Sequence, residues 1–154
     1  MVSPAISAFV GRFYELSDDG SKHSEYADQF SYPSASSSSP GTAFFFQIGP
    51  MAPASTREGV LAWRNKAWES VARRKHTIHD VYVLPAGKGD MDAKAKDGSV
   101  PGELMLYGRV DYEKKDGSKA AATWGGRMVF DTDLYASSGE LKMTHYRVWI
   151  TPDA

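Results

Sequence analysis

The sequence has no cysteine, almost no net charge and no long apolar run. Without cysteine it can form no disulfide, thiolate nucleophile or cysteine-ligated zinc site. Its formal net charge of -1 at pH 7 provides no overall field to attract nucleic acid or anionic lipid. No apolar run approaches the length that spans a bilayer. Arg12, Glu15 and Asp18 interrupt the N-terminal segment, which therefore favours a folded helix over a signal peptide.

Sequence motifs for nucleotide-binding and serine-hydrolase sites are also missing. The chain contains no phosphate-binding loop, no G-x-S-x-G elbow and no dinucleotide-binding glycine fingerprint. We therefore expect a cytoplasmic protein that binds neither nucleic acid nor membranes and uses none of these sites.

The composition is that of a globular domain. Hydrophobic residues make up 42% and aromatic residues 12% of the 154 residues. A chain of this size can bury a core and still enclose a pocket, so we expect one domain over residues 1–154. Two polar stretches, about 33–42 and 86–101, are rich in serine or in lysine, aspartate and glycine, and are predicted to be mobile loops.

Helices are predicted in the N-terminal half. Ser3 and Pro4 form a helix start, and apolar residues follow at helical spacing as far as Leu16. A short helix is predicted over 21–30 and a long one over 55–76, the latter opening with a capping box of Ser55 and Glu58. The basic run at 73–75 would then lie at the end of the long helix, where the helix dipole favours cations.

Strands dominate the remainder. One is predicted over 42–49, one over 76–85, a hairpin with a D-G turn over 103–133, and a last strand over 139–151. This order indicates an α+β fold, with helices packed on one face of a curved antiparallel sheet. Such a sheet can leave a ligand pocket beneath the helices.

Six segments together resemble a known family. They are FYELSDD, EYADQF, REGVLAWRNKAWESVARRKH, LMLYGRVDY, TWGGRMVF and LKMTHYRVWI. Their joint order is similar to fungal SnoaL-like proteins of the NTF2-like superfamily, over nearly the whole chain apart from the two polar stretches. The resemblance implies an NTF2-like α+β cone with an internal pocket and a homodimer formed through the sheet.

The same resemblance implies a class of activity. Relatives include polyketide cyclases, ketosteroid isomerase and scytalone dehydratase, which usually need no cofactor and use Asp, His, Tyr or Arg in the pocket for acid–base chemistry. Non-catalytic binding proteins share the fold, so fold alone does not determine function.

The two histidines of the H-x-x-H stretch, His76 and His79, are the first candidates for chemistry. On a strand, residues three apart point to opposite faces, so no metal site is predicted. His76 follows the long helix and is the candidate general acid or base, because histidine titrates near neutral pH. The alternative is a structural histidine at the helix end. Asp80 is a possible orienting carboxylate or an exposed strand residue.

Tyr107 and Arg127 are the other candidate catalytic residues, as groups that stabilise an oxyanion. The alternatives are a core position for the tyrosine, and for the arginine a salt bridge on the outer face or at a dimer contact. Tyr107 and Tyr112 are five apart, so only one of them can face a cavity. Candidate substrate-binding residues are Tyr14, Tyr26, Phe46, Trp63, Tyr112, Trp124 and Tyr146.

Other polar residues are weaker candidates. Asp18 and Asp28 are interpreted as helix caps or turn formers. Arg109 and Arg147 are weaker candidates for the role considered for Arg127, and Asp111 lies on the first strand of the hairpin.

The leading hypothesis is a cofactor-independent enzyme of fungal secondary metabolism that isomerises, dehydrates or cyclises a hydrophobic, polycyclic or polyketide-like compound. The alternative is a non-catalytic binding or dimeric interaction protein on the same fold. An open pocket lined by His76 with a partner carboxylate or phenol would favour the enzyme, and a cone filled by side chains would favour the alternative.

Overall fold

A computed structural model of the protein describes residues 2–33, 43–84 and 102–153. Apart from residue 33, the two predicted mobile loops lie outside these ranges. The helices and strands follow in the order α1 (Pro4–Asp18), α2 (His23–Ala27), β1 (Phe45–Ile48), α3 (Arg57–Trp68), β2 (Val71–Val83), β3 (Glu103–Lys114), β4 (Lys119–Phe130), α4 (Thr132–Ser138) and β5 (Met143–Pro152).

The strands form one sheet in the order β1-β5-β4-β3-β2. The four long strands pair antiparallel, as predicted, whereas β1 pairs parallel with β5 at the edge. The sheet is therefore mixed, and the prediction of an antiparallel sheet was wrong for this edge strand. The α+β class and the curved sheet are confirmed.

Alternation along the strands separates an inner from an outer face of the sheet. On the inner face of β4, Ala122, Trp124, Met128 and Phe130 are almost fully buried. Apolar residues of α1, including Phe9, Phe13 and Leu16, are buried in the same core cluster. Helix α1 thus packs on the inner face of the sheet.

Helix α1 begins as the sequence predicts. The Ser3 hydroxyl oxygen accepts a hydrogen bond from the Ile6 N–H at 3.3 Å, and Pro4 occupies the first helical position. The helix ends at Asp18, which places this carboxylate where the C-terminal dipole disfavours negative charge.

The boundary between α3 and β2 differs from the sequence prediction. Thr56, not Ser55, caps α3, and the helix ends at Trp68. Strand β2 begins at Val71 and pairs with β3, for example Arg74 with Tyr112. Residues 71–75 include alanine, arginine and lysine, which favour helix, but pairing with a neighbouring strand overrides this weak local preference.

Helix α4 has no counterpart in the sequence prediction. The Asp131 carboxylate accepts from the Leu134 N–H at 2.9 Å, and Gly139 ends the helix with a φ of 75°. Seven residues give too short an apolar pattern to identify such a helix from the sequence.

Gly108 permits a close approach between β3 and β2. A Cβ atom at this position would lie 2.1 Å from the carbonyl oxygen of Thr77, beside the irregularity in register between Ile78 and Asp80. We expect Gly108→Ala to lower the free energy of unfolding by about 2–3 kcal/mol, because the clash is with backbone. Urea denaturation measures this change.

Gly125→Ala is the matched control on the adjacent strand. Its Cβ would meet nothing nearer than the Leu106 carbonyl oxygen at 3.8 Å, which is ordinary contact. We expect the control to be neutral or slightly stabilising. Equal stability of the two variants would contradict the close approach at Gly108.

Candidate active site

A cavity of about 200 Å³ lies between the helices and the inner face of the sheet. Its lining residues come from both layers: Ser17, Tyr26, Ile48, Pro50, Met51, Trp63, Ala67, Arg74, His76, Val110, Tyr112, Trp124, Tyr146, Val148 and Ile150. The wall is mostly apolar and aromatic, with a few polar groups, as is typical of a small-molecule site. The described part of the cone is therefore not completely filled by its own side chains.

His76 lies on the cavity wall and is held by Asp18. The ring Nδ1 of His76 is 2.6 Å from Asp18 Oδ1, and the backbone N–H of His76 donates to Asp18 Oδ2 at 2.9 Å. Only 13% of the His76 side chain and 14% of the Asp18 side chain are exposed. The carboxylate thus fixes both the backbone and the ring of the histidine.

This contact determines which ring nitrogen of His76 is available. When Asp18 is ionised, Nδ1 carries the proton and donates to the carboxylate, so Nε2 has the free lone pair. Among the described residues Nε2 has no hydrogen-bond partner. Burial lowers the pKa of His76, and the hydrogen bond to Asp18 opposes this effect only in part. The neutral imidazole is therefore favoured near pH 7, which suits a general base.

Two buried phenols lie near this histidine. The hydroxyl oxygens of Tyr14 and Tyr146 are 2.9 Å apart, and the ring of Tyr14 is centred 4.9 Å from that of His76. Burial raises the pKa of both phenols well above the usual value, so both keep their protons. Since one hydrogen bond uses one hydroxyl hydrogen, the other remains available, and Tyr146 lines the cavity.

Most of the predicted substrate-binding residues are close to the cavity. Five of them line it directly: Tyr26, Trp63, Tyr112, Trp124 and Tyr146. Tyr14 lies behind Tyr146 and Trp124. Phe46 is buried behind Trp63 and Tyr146, with ring centroids 5.2 and 6.0 Å away, so it supports the wall.

Tyr107 and Arg127 do not reach the cavity. Tyr107 is 42% exposed on the outer face of the sheet, where its ring packs against His79 and Tyr82. Arg127 is also on the outer face, where its guanidinium contacts Glu103 and His145. Strand alternation places both residues opposite the inner-facing set, so neither lies where its predicted catalytic role requires it.

The other polar candidates also lie away from the cavity wall. His79 and Asp80 are exposed on β2, and Asp28 pairs with Arg57 at the surface. Asp111 pairs with Arg109.

The remaining candidate, Arg147, donates to the Gly49 carbonyl oxygen at 3.1 Å. It lies beside Trp149, outside the cavity lining.

Sequence reasoning missed two important residues. Asp18 was interpreted as a cap, although a carboxylate in the last turn of a helix opposes the helix dipole and is a signal for another role. Arg74 was assigned to a helix end. If the strand is extended back to Val71, Arg74 and His76 are two residues apart and share the inner face.

The described ranges contain neither a cluster of metal ligands nor a membrane-spanning helix. Within them, no group of three or more His, Asp or Glu side chains could hold a metal ion. No helix in the same ranges is long and apolar enough to cross a membrane.

Comparison with known proteins shows similarity in structure but not in sequence. No family model and no curated sequence matches the chain. A candidate aromatic ring hydroxylase from Novosphingobium aromaticivorans superposes with a TM-score of 0.70 at 14% identity, covering 97% of this chain and 91% of that one.

Two further structures identify the fold. A candidate dehydratase of the NTF2-like family from Streptomyces avermitilis superposes with a TM-score of 0.69 at 12% identity, covering 95% and 93% of the two chains. Nuclear transport factor 2 from Cryptosporidium parvum gives 0.60 at 10% identity, with 94% and 90% covered. The protein therefore has the NTF2-like α+β fold, in which a curved mixed sheet wraps around helices.

Proposed function

We propose that the protein is a cofactor-independent enzyme that moves a proton on a hydrophobic small molecule bound in the cavity. The observation that carries this proposal is His76, which lies on the cavity wall with its ring fixed by Asp18 at 2.6 Å. The reaction class is isomerisation, dehydration or cyclisation, in which one positioned group removes a proton and can return it.

Four polar side chains at or near the cavity have a role in this scheme. His76 Nε2 is the general base, and Asp18 is the positioning residue that holds its tautomer. Tyr146, supported by Tyr14, donates a hydrogen bond to the oxygen on which negative charge develops. Tyr146 thus takes the role that the sequence had suggested for Tyr107.

The cavity volume limits the size of the substrate. A cavity of about 150 Å³ accommodates benzene, and ordinary ligand sites begin near 300 Å³. At about 200 Å³, this cavity suits a compound of one or two rings better than a larger polycycle. The aromatic wall formed by Trp63, Trp124 and Tyr26 favours an apolar ring.

The resemblance to fungal SnoaL-like proteins supports a place in secondary metabolism. The dehydratase from Streptomyces avermitilis, which shares the fold, is consistent with proton-transfer chemistry. A non-catalytic binding protein remains the second candidate. The cavity favours the enzyme, because His76 lies beside a carboxylate and a pair of phenols instead of in a filled core.

Deuterium exchange tests the proposal without knowledge of the natural substrate. The bicyclic ketones 2-tetralone and 2-indanone carry acidic C–H bonds and have the size indicated by the cavity. In D₂O the protein should incorporate deuterium next to their carbonyl groups faster than buffer does, as measured by mass spectrometry. Binding of the ketones without faster exchange would favour the non-catalytic alternative.

We also propose that the outer face of the sheet forms a homodimer interface. Four large side chains of this face, the outer-face patch, are 41–55% exposed: Tyr82, Met105, Tyr107 and Trp149. Exposed apolar clusters of this kind are typical of protein interfaces. Sedimentation velocity should show a dimer that Trp149→Lys dissociates, because burying a lysine ammonium is costly. A wild-type monomer at all concentrations would contradict this interface.

A further inference from the structure

Two arginines are buried side by side at the cavity, where Arg74 is in the wall and Arg64 is not part of the lining. Arg64 is 0% exposed and Arg74 is 8% exposed, and both guanidinium groups lie over the ring of Trp68, at 5.8 and 4.7 Å. Within the described residues, neither forms a salt bridge with a carboxylate. A buried charge without an opposite partner is unfavourable, so this pair requires an explanation.

The two guanidinium groups differ in how many of their donors are used. Arg64 donates from all three nitrogens, to His23 Nδ1 and to the carbonyl oxygens of Leu16, Ser17 and Asp19. Arg74 donates only through Nη2, to the carbonyl oxygen of Ser17 at 2.5 Å and to its hydroxyl at 3.4 Å. Its Nε is enclosed and has no partner among the described residues.

Arg74 is also the only permanently charged side chain that lines the cavity within the described ranges. The lining residues include no aspartate or glutamate. The nearby carboxylate of Asp18 is occupied by His76, and that of Asp19 accepts from Ser21 at the surface. The cavity therefore combines an apolar, aromatic wall with one positive charge that no carboxylate of its described lining pairs with.

An open cleft that also borders Arg74 differs in charge. Its lining includes four carboxylates, of Glu15, Asp18, Asp19 and Glu69, and the cations Arg73, Arg74, Lys75 and Lys115. Positive and negative charges balance there, so the cleft has no preference for an anion. The cavity is the side on which an anionic group would compensate Arg74.

We infer that the ligand of the cavity is an organic acid, a compound of one or two rings with a carboxylate that binds Arg74 through Nη1, which makes no hydrogen bond among the described residues. Charge-assisted hydrogen bonds from arginine to carboxylate are among the strongest in proteins, particularly away from water. Arg74 and His76 are two residues apart on β2 and face the same side. A ligand carboxylate bound to Arg74 would therefore hold the ring of the ligand beside the histidine. This inference rests on the proposal that the cavity is the ligand site.

A matched pair of ligands tests the inference. The probes are 2-naphthoate and 2-naphthamide, which share shape and differ in charge, with binding measured by calorimetry. We expect the wild-type protein to bind the naphthoate at least about tenfold more tightly than the amide. Equal affinities, or no binding of either probe, would overturn the inference.

Variants of β2 locate the source of the preference. Arg74→Gln should weaken naphthoate binding about 10- to 100-fold and change naphthamide binding little. Arg73→Gln is the matched control, because Arg73 is exposed and its one ion pair among the described residues is with Glu113 at 3.8 Å, and it should leave both affinities unchanged. Retention of the preference in Arg74→Gln, or its loss in Arg73→Gln, would contradict the assignment to Arg74.

Two readouts keep this inference separate from the proposed function. If Arg74→Gln does not fold, the wild-type comparison of the two probes still decides whether the cavity selects an anion. Selective naphthoate binding without ketone exchange would remove proton transfer and retain the anion site. Ketone exchange with no preference for naphthoate would retain proton transfer and remove the anion site.

Discussion

Replacing His76 with alanine should slow deuterium exchange into 2-tetralone to near the buffer rate, and should reduce turnover of the natural substrate about 10²- to 10⁴-fold. The reason is that His76 provides the only nitrogen base on the described cavity wall, with Nδ1 bound to Asp18 at 2.6 Å. Exchange is measured by mass spectrometry on folded protein, with folding checked by circular dichroism. His79→Ala is the matched control, because His79 is exposed on the opposite face of β2, and it should retain full activity.

The pH dependence provides a second readout for the same residue. A general base must be unprotonated, so the exchange rate should fall as the pH drops through the pKa of His76. Burial lowers this pKa, which places the acid limb below the ordinary histidine value of about 6.5. Asp18→Asn should shift the limb further down, because the carboxylate stabilises the imidazolium, and should also reduce the maximum rate. An acid limb that is unchanged in Asp18→Asn would contradict the role of the pair.

Replacing Arg64 with leucine should have the largest effect on stability, a loss of about 3 kcal/mol or more. This side chain of α3 is completely buried and donates to the carbonyl oxygens of Leu16, Ser17 and Asp19 at the end of α1. Without it each of these acceptors would lose one of its hydrogen bonds and keep only the one from Asp19 N–H, Arg74 or Lys22 N–H, and the guanidinium would no longer lie over the ring of Tyr26 at 4.4 Å. Urea denaturation measures the loss.

Lys66→Ala is the control for this change. Lys66 lies on the same helix and is exposed, so its replacement should alter stability by no more than about 0.5 kcal/mol. Equal effects of the two variants would show that Arg64 does not cap α1. Since Asp18 lies among the residues that Arg64 holds, Arg64→Leu should also weaken the contact between Asp18 and His76.

The sequence was sufficient for the α+β class because strong local signals agree with the fold. The Ser3–Pro4 start is a local capping signal. The apolar stripe of α1 and the alternation of the strands follow from burial of one face, which is visible in the sequence pattern. The parallel pairing of β1 with β5 depends on how distant segments meet, and no local pattern encodes it. The same limitation explains the error at 71–75, where helix-forming residues belong to a strand that pairs with β3.

The site was predictable only in part for the same reason. His76 was identified from its chemistry and position, and its location on the cavity wall is consistent with that choice. Its partner Asp18 is 58 residues away in the chain, and no spacing rule connects the two. Tyr107 and Arg127 have suitable chemistry, but the inward and outward faces of a strand are fixed by its partners and by the helices that cover it.

Nitrogen NMR of the imidazole of His76 is the most direct test of the central claim, which is that Asp18 holds this residue as a neutral base at the cavity wall. The protein is labelled with ¹⁵N-histidine and titrated with acid, and His76→Gln assigns the signal. We predict that at pH 7 the ring carries its proton on Nδ1, leaves Nε2 unprotonated, and titrates below about 6.5. A proton on Nε2 at pH 7, or titration at or above the ordinary value, would contradict the account.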